Sequence, residues 1–111
     1  MDMKVVHENE TRIFLDGPEV CREYFATGKI TFGSSTLLPG QTGAIDPGHP
    51  TSHEVFFVSR GHVILRNPKD KSFFELKEGD AILIPEGAPH ELTNIGMEKA
   101  VITWSCAPSP A

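Results

Sequence analysis

Long apolar runs are missing from this chain. Nowhere in its 111 residues do about 18 apolar residues follow one another, the length a helix needs to cross a bilayer. The opening Met1-Asp2-Met3-Lys4-Val5-Val6-His7 also lacks the apolar stretch of a secretory leader. These absences predict a cytoplasmic protein with no membrane partner. Clustered positive charge is scarce too. The ten Lys and Arg residues are scattered and the formal net charge is −5, which argues against nucleic acid or an anionic surface, since both reward grouped cations. Cysteine is limited to Cys21 and Cys106, without C-x-x-C spacing, so no disulfide framework, redox pair or zinc motif is indicated. Each cysteine reads as a small buried apolar side chain.

A sustained helical period is also absent, because Gly or Pro interrupts nearly every window of that length. What the chain has instead is short runs of Val, Ile, Leu, Phe and Thr. They fall at Lys29 to Leu38, Glu54 to Arg60, His62 to Arg66, Phe73 to Leu76, Ala81 to Ile84 and Ala100 to Ser105. Their lengths and residue types suit strands on pleated surfaces. Pro18 to Phe25 reads as strand or irregular. Turn chemistry separates the runs: Arg60-Gly61-His62 as a tight hairpin, Asn67-Pro68-Lys69-Asp70 and Glu78-Gly79-Asp80 as turns. Many short strands with frequent turns predict a sandwich or barrel, all-β and a single domain over residues 1–111. The tail, residues 107–111, is rich in proline and is expected to fray.

Three of the five histidines stand where turns meet strands. His49 lies in the loop Asp46-Pro47-Gly48-His49-Pro50-Thr51-Ser52, His53 and Glu54 open an apolar strand, and His90 opens another after Pro85-Glu86-Gly87-Ala88-Pro89. Alternation places Glu54 on the face of Phe56 and Val58. A carboxylate there is costly unless a cation or hydrogen bonds compensate it. Two imidazoles and a carboxylate suit one divalent ion, Fe, Mn, Zn or Ni, with positions left open. Taken singly, each histidine could equally be solvated. His7, on an expected N-terminal edge strand, and His62 read as solvated or structurally hydrogen-bonded.

The segment Gly79 to Asn94 matches the second cupin motif, G-x5-P-x-G-x2-H-x3-N, at every fixed position: Gly79, Pro85, Gly87, His90 and Asn94. Upstream, Glu54 followed six residues later by Gly61 matches the end of the first motif, H-x-H-x(3,4)-E-x6-G. The chain thus resembles the small single-domain cupins of the RmlC-like jelly-roll superfamily, with the barrel core over about 29–105. The resemblance implies a jelly-roll β-barrel (double-stranded β-helix) with one divalent metal in its mouth. Glu54 matches the carboxylate ligand, His90 the last histidine and His49 the second histidine of the H-x-H pair. The first histidine of that pair would fall at Pro47, which cannot ligate. Four arrangements follow: His49, Glu54 and His90 with water; Asp46 as an added oxygen ligand; His53 as an added nitrogen ligand; or no metal at all. Against His53, strand neighbours point to opposite faces.

The resemblance further implies metal-dependent chemistry on a small molecule of dioxygenase, decarboxylase, lyase or isomerase type. The alternative is a non-catalytic ligand-binding or accessory protein, which loss of a ligand residue would favour. For proton transfer the candidates are Tyr24, Arg22 and Glu19, with His53 if it is not a ligand. Phe32, Phe56, Phe73, Phe74 and Trp104 read as core or subunit interface, and Asn94 as a tie at the end of its strand. A homodimer is expected, since edge strands rich in Phe and Val are better paired than exposed.

Overall fold

A computed structural model describes residues 2–110. Nine antiparallel strands run in the order β1 (Arg12–Asp16), β2 (Glu19–Ala26), β3 (Thr31–Leu37), β4 (His53–Arg60), β5 (His62–Arg66), β6 (Phe73–Lys77), β7 (Ala81–Ile84), β8 (Glu91–Asn94) and β9 (Ala100–Ala107). A single 3-10 turn, Glu8–Glu10, precedes them. The strands form two sheets, β1-β2-β3-β9-β4-β7 and β6-β5-β8. They face each other as a jelly roll, the all-β class expected, and remain two sheets rather than one closed ring of hydrogen bonds.

Period-two burial explains how the sheets stack. Along β4, Glu54, Phe56 and Val58 are buried while Val55, Phe57 and Ser59 are exposed. Cross-strand partners repeat the division: Ile102 lies opposite Val58, and Trp104 and Ile82 lie opposite Phe56. The core gathers Leu37, Val58, Val63, Leu65, Leu92 and Ile102 between the sheets. Its apolar side chains fill the lower part of the sandwich, and polar residues take over toward one end, where Glu54 and His90 lie.

Asn94 ties that core to the loops, as expected. Its amide donates to the Leu37 and Glu98 carbonyls, 2.9 Å each, and its Oδ1 accepts from the Gly96 amide at 2.8 Å. Side-chain bonds to three backbone groups replace ladder bonds that the strand end lacks.

Several sequence expectations change. His7 caps the 3-10 turn instead of lying on a strand. The segment read as strand or irregular is strand from Glu19 to Ala26, with Pro18 in the turn before it, and Arg12–Asp16 pairs with it as a hairpin whose register runs from Arg12 opposite Glu23 to Asp16 opposite Glu19. The described tail residues make specific contacts. Strand β9 continues to Ala107, which pairs with His53, and Ser52 donates to the Pro108 carbonyl at 2.6 Å. Ser109 exchanges a hydroxyl hydrogen bond with Thr31. Proline lacks an amide donor but keeps its carbonyl, and here that carbonyl is the group used. Of the aromatics, Phe56 is core, whereas Phe73 and Phe74 are exposed on β6.

Candidate functional site

The site assembles where the loop before β4, the loop before β8 and the end of β9 meet. Residues 42 to 46 run beside β8, with bridges pairing Thr42 to Thr93 and Asp46 to His90. The Asp46 and His90 backbones exchange two hydrogen bonds of 2.9 Å. The side chains of such directly paired residues leave the sheet on the same side. Pro47, next along the chain, is exposed.

Glycine then locks the two loops together. Gly48 has φ +90°, and a Cβ there would stand 2.8 Å from the Ala88 amide nitrogen and carbonyl oxygen. Because Gly48 has none, the loops touch, and the Gly87 amide donates to the His49 carbonyl at 2.9 Å. His49 is thereby held against Glu54.

Around Glu54 Oε1 the distances are short. His90 Nε2 is 3.3 Å away and His49 Nε2 is 3.7 Å away, while His90 Nε2 lies 3.7 Å from Asp46 Oδ2. Atoms each about 2.1 Å from a shared ion stand roughly 3–3.5 Å apart. Glu54 is 5% exposed and His90 3%. Glu54 Oε1 and His90 Nε2 nonetheless have no partner of hydrogen-bond geometry among the described residues. Two buried polar atoms facing one another unsatisfied are expensive. A cation between them would satisfy both.

The other His90 nitrogen is already committed. Nδ1 lies 3.0 Å from the Ala88 carbonyl oxygen, which can only accept, so Nδ1 carries the hydrogen and Nε2 presents its lone pair to the site. Phe56 meets the His90 ring edge-on, with centroids 5.2 Å apart. Burial alone would push the imidazolium down, but the Glu54 carboxylate, the Ala88 carbonyl and Asp46 outweigh it and raise the His90 pKa.

The sequence candidates divide clearly by position. His49, Glu54, His90 and Asp46 converge. His53 points to the opposite face, is exposed and pairs with Glu86. It does not join the cluster, for the reason alternation predicted. Arg22 donates to the Glu8 carbonyl and the Thr11 hydroxyl, fastening the 3-10 turn to β2. Tyr24 packs on Phe32 with ring centroids 5.9 Å apart. Neither Arg22 nor Tyr24 lines the cavity, so proton transfer by them has no geometric support.

Glu19, the remaining proton-transfer candidate, does line the cavity.

Cys106 is the residue that sequence reasoning passed over. It sits on β9 opposite Glu54, and its thiol donates to Glu54 Oε2 at 3.2 Å. Burial, followed by the Glu54 charge and hydrogen bond, pushes the thiol up to about 12. Its Sγ clusters with donor atoms of His49 and Glu54 within 4.8 Å, as Asp46, Glu54 and His90 do among themselves. Only strand register reveals this, and no spacing rule in the sequence carries it.

These groups line one end of a cavity of ≈ 190 Å³, whose other walls include Phe14, Glu19 and Trp104. The indole donates to the Ser35 hydroxyl at 3.1 Å. It occupies space that Gly33 leaves open, since a Cβ at 33 would stand 2.3 Å from the ring.

A jelly roll with a His/Glu cluster at one end, built from two loops and a β4 carboxylate, defines the cupin class of protein. The chain matches the Cupin domain family over residues 33–106 and belongs to that family. An uncharacterised protein of Methanocaldococcus jannaschii, MJ1618, is 33% identical over 75 residues, which are 68% of this chain. The chain spans about half the length of that curated relative (52%). Among solved structures, a double-stranded β-helix domain protein of Klebsiella pneumoniae superposes with TM-score 0.82 at 21% identity, over 99% of this chain and 94% of that one. A predicted oxalate decarboxylase of Thermotoga maritima superposes with TM-score 0.79 at 16% identity, over 94% and 98% of the two chains. At these identities the likeness carries the fold.

Proposed function

We propose that this cupin is a metal-dependent enzyme acting on a small molecule, with one divalent ion held by His49, Glu54 and His90. The observation that carries the reading is the orphaned pair, Glu54 Oε1 and His90 Nε2, buried 3.3 Å apart. The donor set fits: imidazole nitrogen and carboxylate oxygen suit Fe, Mn, Zn or Ni. Asp46 stands where it can add a second oxygen. Three protein ligands with positions left open are the pattern of catalytic rather than structural sites.

When bound, such an ion supplies Lewis-acid polarisation of a carbonyl or hydroxyl oxygen and, if redox-active, dioxygen chemistry. The chain's own groups do the rest. His90 is fixed by the Ala88 carbonyl so that Nε2 aims inward. Phe14, Phe56 and Trp104 exclude water from one side of the cavity. Glu19 offers a carboxyl in the same cavity, placed to hold or return a proton.

Elemental analysis of the purified protein, followed by oxygen uptake and product analysis with small hydroxy and keto compounds, tests this reading. The expected result is close to one equivalent of a first-row divalent metal and turnover that chelation removes. A metal-free protein that binds no added Fe, Mn, Zn or Ni would overturn it. The second reading, a ligand-binding cupin without turnover, is favoured by Pro47 standing at the place of a fourth imidazole. It predicts full metal and no turnover.

The protein is further proposed to be a homodimer. On the outer face of the large sheet, Val55, Phe57 and Leu83 are exposed on the paired strands β4 and β7, with Val55 directly opposite Leu83. Contiguous apolar area of this kind marks interaction surfaces. Light scattering at micromolar concentration is expected to give twice the chain mass, and Phe57→Glu to give the monomer. A monomeric wild-type protein would refute the assignment.

A further inference from the structure

The cavity that holds the His/Glu cluster is lined by further acidic side chains. Asp16 and Glu19 close the β1–β2 hairpin as a register pair, and both line the cavity together with Glu23, Asp46 and Glu54. Among the described residues no lysine or arginine lines it. Glu23 is neutralised by Arg12, whose Nε and Nη2 reach its two oxygens at 3.2 and 3.3 Å. A divalent ion would be balanced by Glu54 and Asp46. Asp16 and Glu19 are left without a counter-charge.

Glu19 is the more unusual of the two. It is 6% exposed, yet its carboxylate has no hydrogen-bond or ion-pair partner among the described residues. It lies directly over Gly43, where a Cβ would stand 2.6 Å from Glu19 Cδ. The glycine gives the carboxylate room to sit in the wall facing the cavity. A carboxylate that is nine-tenths buried, unpaired and turned into a cavity is a group with its partner missing. Burial, followed by the charges of Asp16 and Asp46, pushes the Glu19 pKa up to about 7. A bound cation would reverse that shift.

We propose that the cavity selects a small ligand bearing a positively charged amine, which docks on Glu19 and Asp16, and rejects anionic carboxylates of the same size. This rests on reading the cavity as the ligand site of the cupin, and it names the class of compound that site takes. A volume of ≈ 190 Å³ limits the ligand to few heavy atoms.

Three near-isosteric probes separate the charges: 1-aminopropan-2-ol as cation, lactamide as neutral, lactate as anion. Each is titrated at pH 7.5 against the metal-loaded protein and against the chelator-stripped protein, followed by chemical-shift perturbation. The amine is expected to bind at least about tenfold more tightly than lactate, with lactamide between, because like charges across a desolvated contact are strongly disfavoured. The order is decided on the stripped protein, since a bound ion with open positions would itself coordinate the lactate carboxylate. Failure to bind metal would therefore count against the metal reading alone. Glu19→Gln keeps the shape and removes the charge, and it is expected to cut the amine-to-lactate ratio at least about threefold, with Asp16→Asn acting in the same direction. Both variants should retain wild-type metal content and circular dichroism. Lactate binding as tightly as the amine, no binding of the amine, or an undiminished ratio in the double variant would each overturn the proposal.

Discussion

His90→Ala and Glu54→Gln are each expected to strip the protein of metal. Removing groups that merely orient a ligand costs about 10- to 100-fold in affinity, so removing the ligand itself should cost more than about 100-fold. Elemental analysis after dialysis against a weak chelator reads this directly. His53→Ala should retain wild-type content, because its imidazole faces the other way and pairs with Glu86. Asp46→Asn and Cys106→Ala form the informative comparison. Whichever loses more metal marks the side chain that takes the place left by Pro47. Wild-type metal in both His90→Ala and Glu54→Gln would eliminate the site. Affinity should also fall with falling pH, since the ion must displace the proton that the raised pKa of His90 retains.

The second large effect concerns stability. In the metal-free protein, Glu19 keeps its proton up to about pH 7, against an ordinary value of 4.5, with burial the leading cause and Asp16 the next. Between those values the folded chain holds a proton that the unfolded chain has released. Stability therefore falls as pH rises through this window, because the unfolded state binds fewer protons than the folded one. A difference of this size corresponds to about 3 kcal/mol. Urea unfolding of wild type and Glu19→Gln across the window isolates the contribution. Near pH 4.5 the two should differ little, and by pH 8 the variant should be more stable by up to about 3 kcal/mol. His90, also raised, loses stabilisation in the same direction as pH rises, but it does so in both proteins and so drops out of the difference. A constant difference across the range would show that Glu19 does not titrate in this way.

How much of this was legible in the sequence depends on the kind of signal each residue leaves. The second motif was plain, because Gly79, Pro85, Gly87, His90 and Asn94 stand at a fixed spacing. Alternation correctly separated His53 from Glu54. The β1–β2 hairpin was harder. In Arg12–Asp16, Phe14 faces the cavity while Ile13 and Leu15 face outward, so apolar residues fall on both faces and no period-two pattern survives. That Asp46 faces His90 needed the bridge between their backbones, a contact between loops far apart in the chain. Cys106 needed strand register, which a single chain does not display and which a slip of one residue would reverse. The contacts of the tail were hidden for a different reason. Its prolines rule out ladder donors but not carbonyl acceptors, and Ser52 uses one.

The contact made possible at Gly48 reaches beyond local packing. With the His49 loop fastened to Gly87, and Asp46 fastened to His90 through their backbones, the donor groups are gathered by the fold before any ion arrives. Zinc fingers, by contrast, are held unfolded until metal assembles them. If the proposed site holds an ion, the fold then acts as a preformed socket: one ion would leave and another enter without the chain unfolding, and supply and donor chemistry, not folding history, would govern which metal is carried.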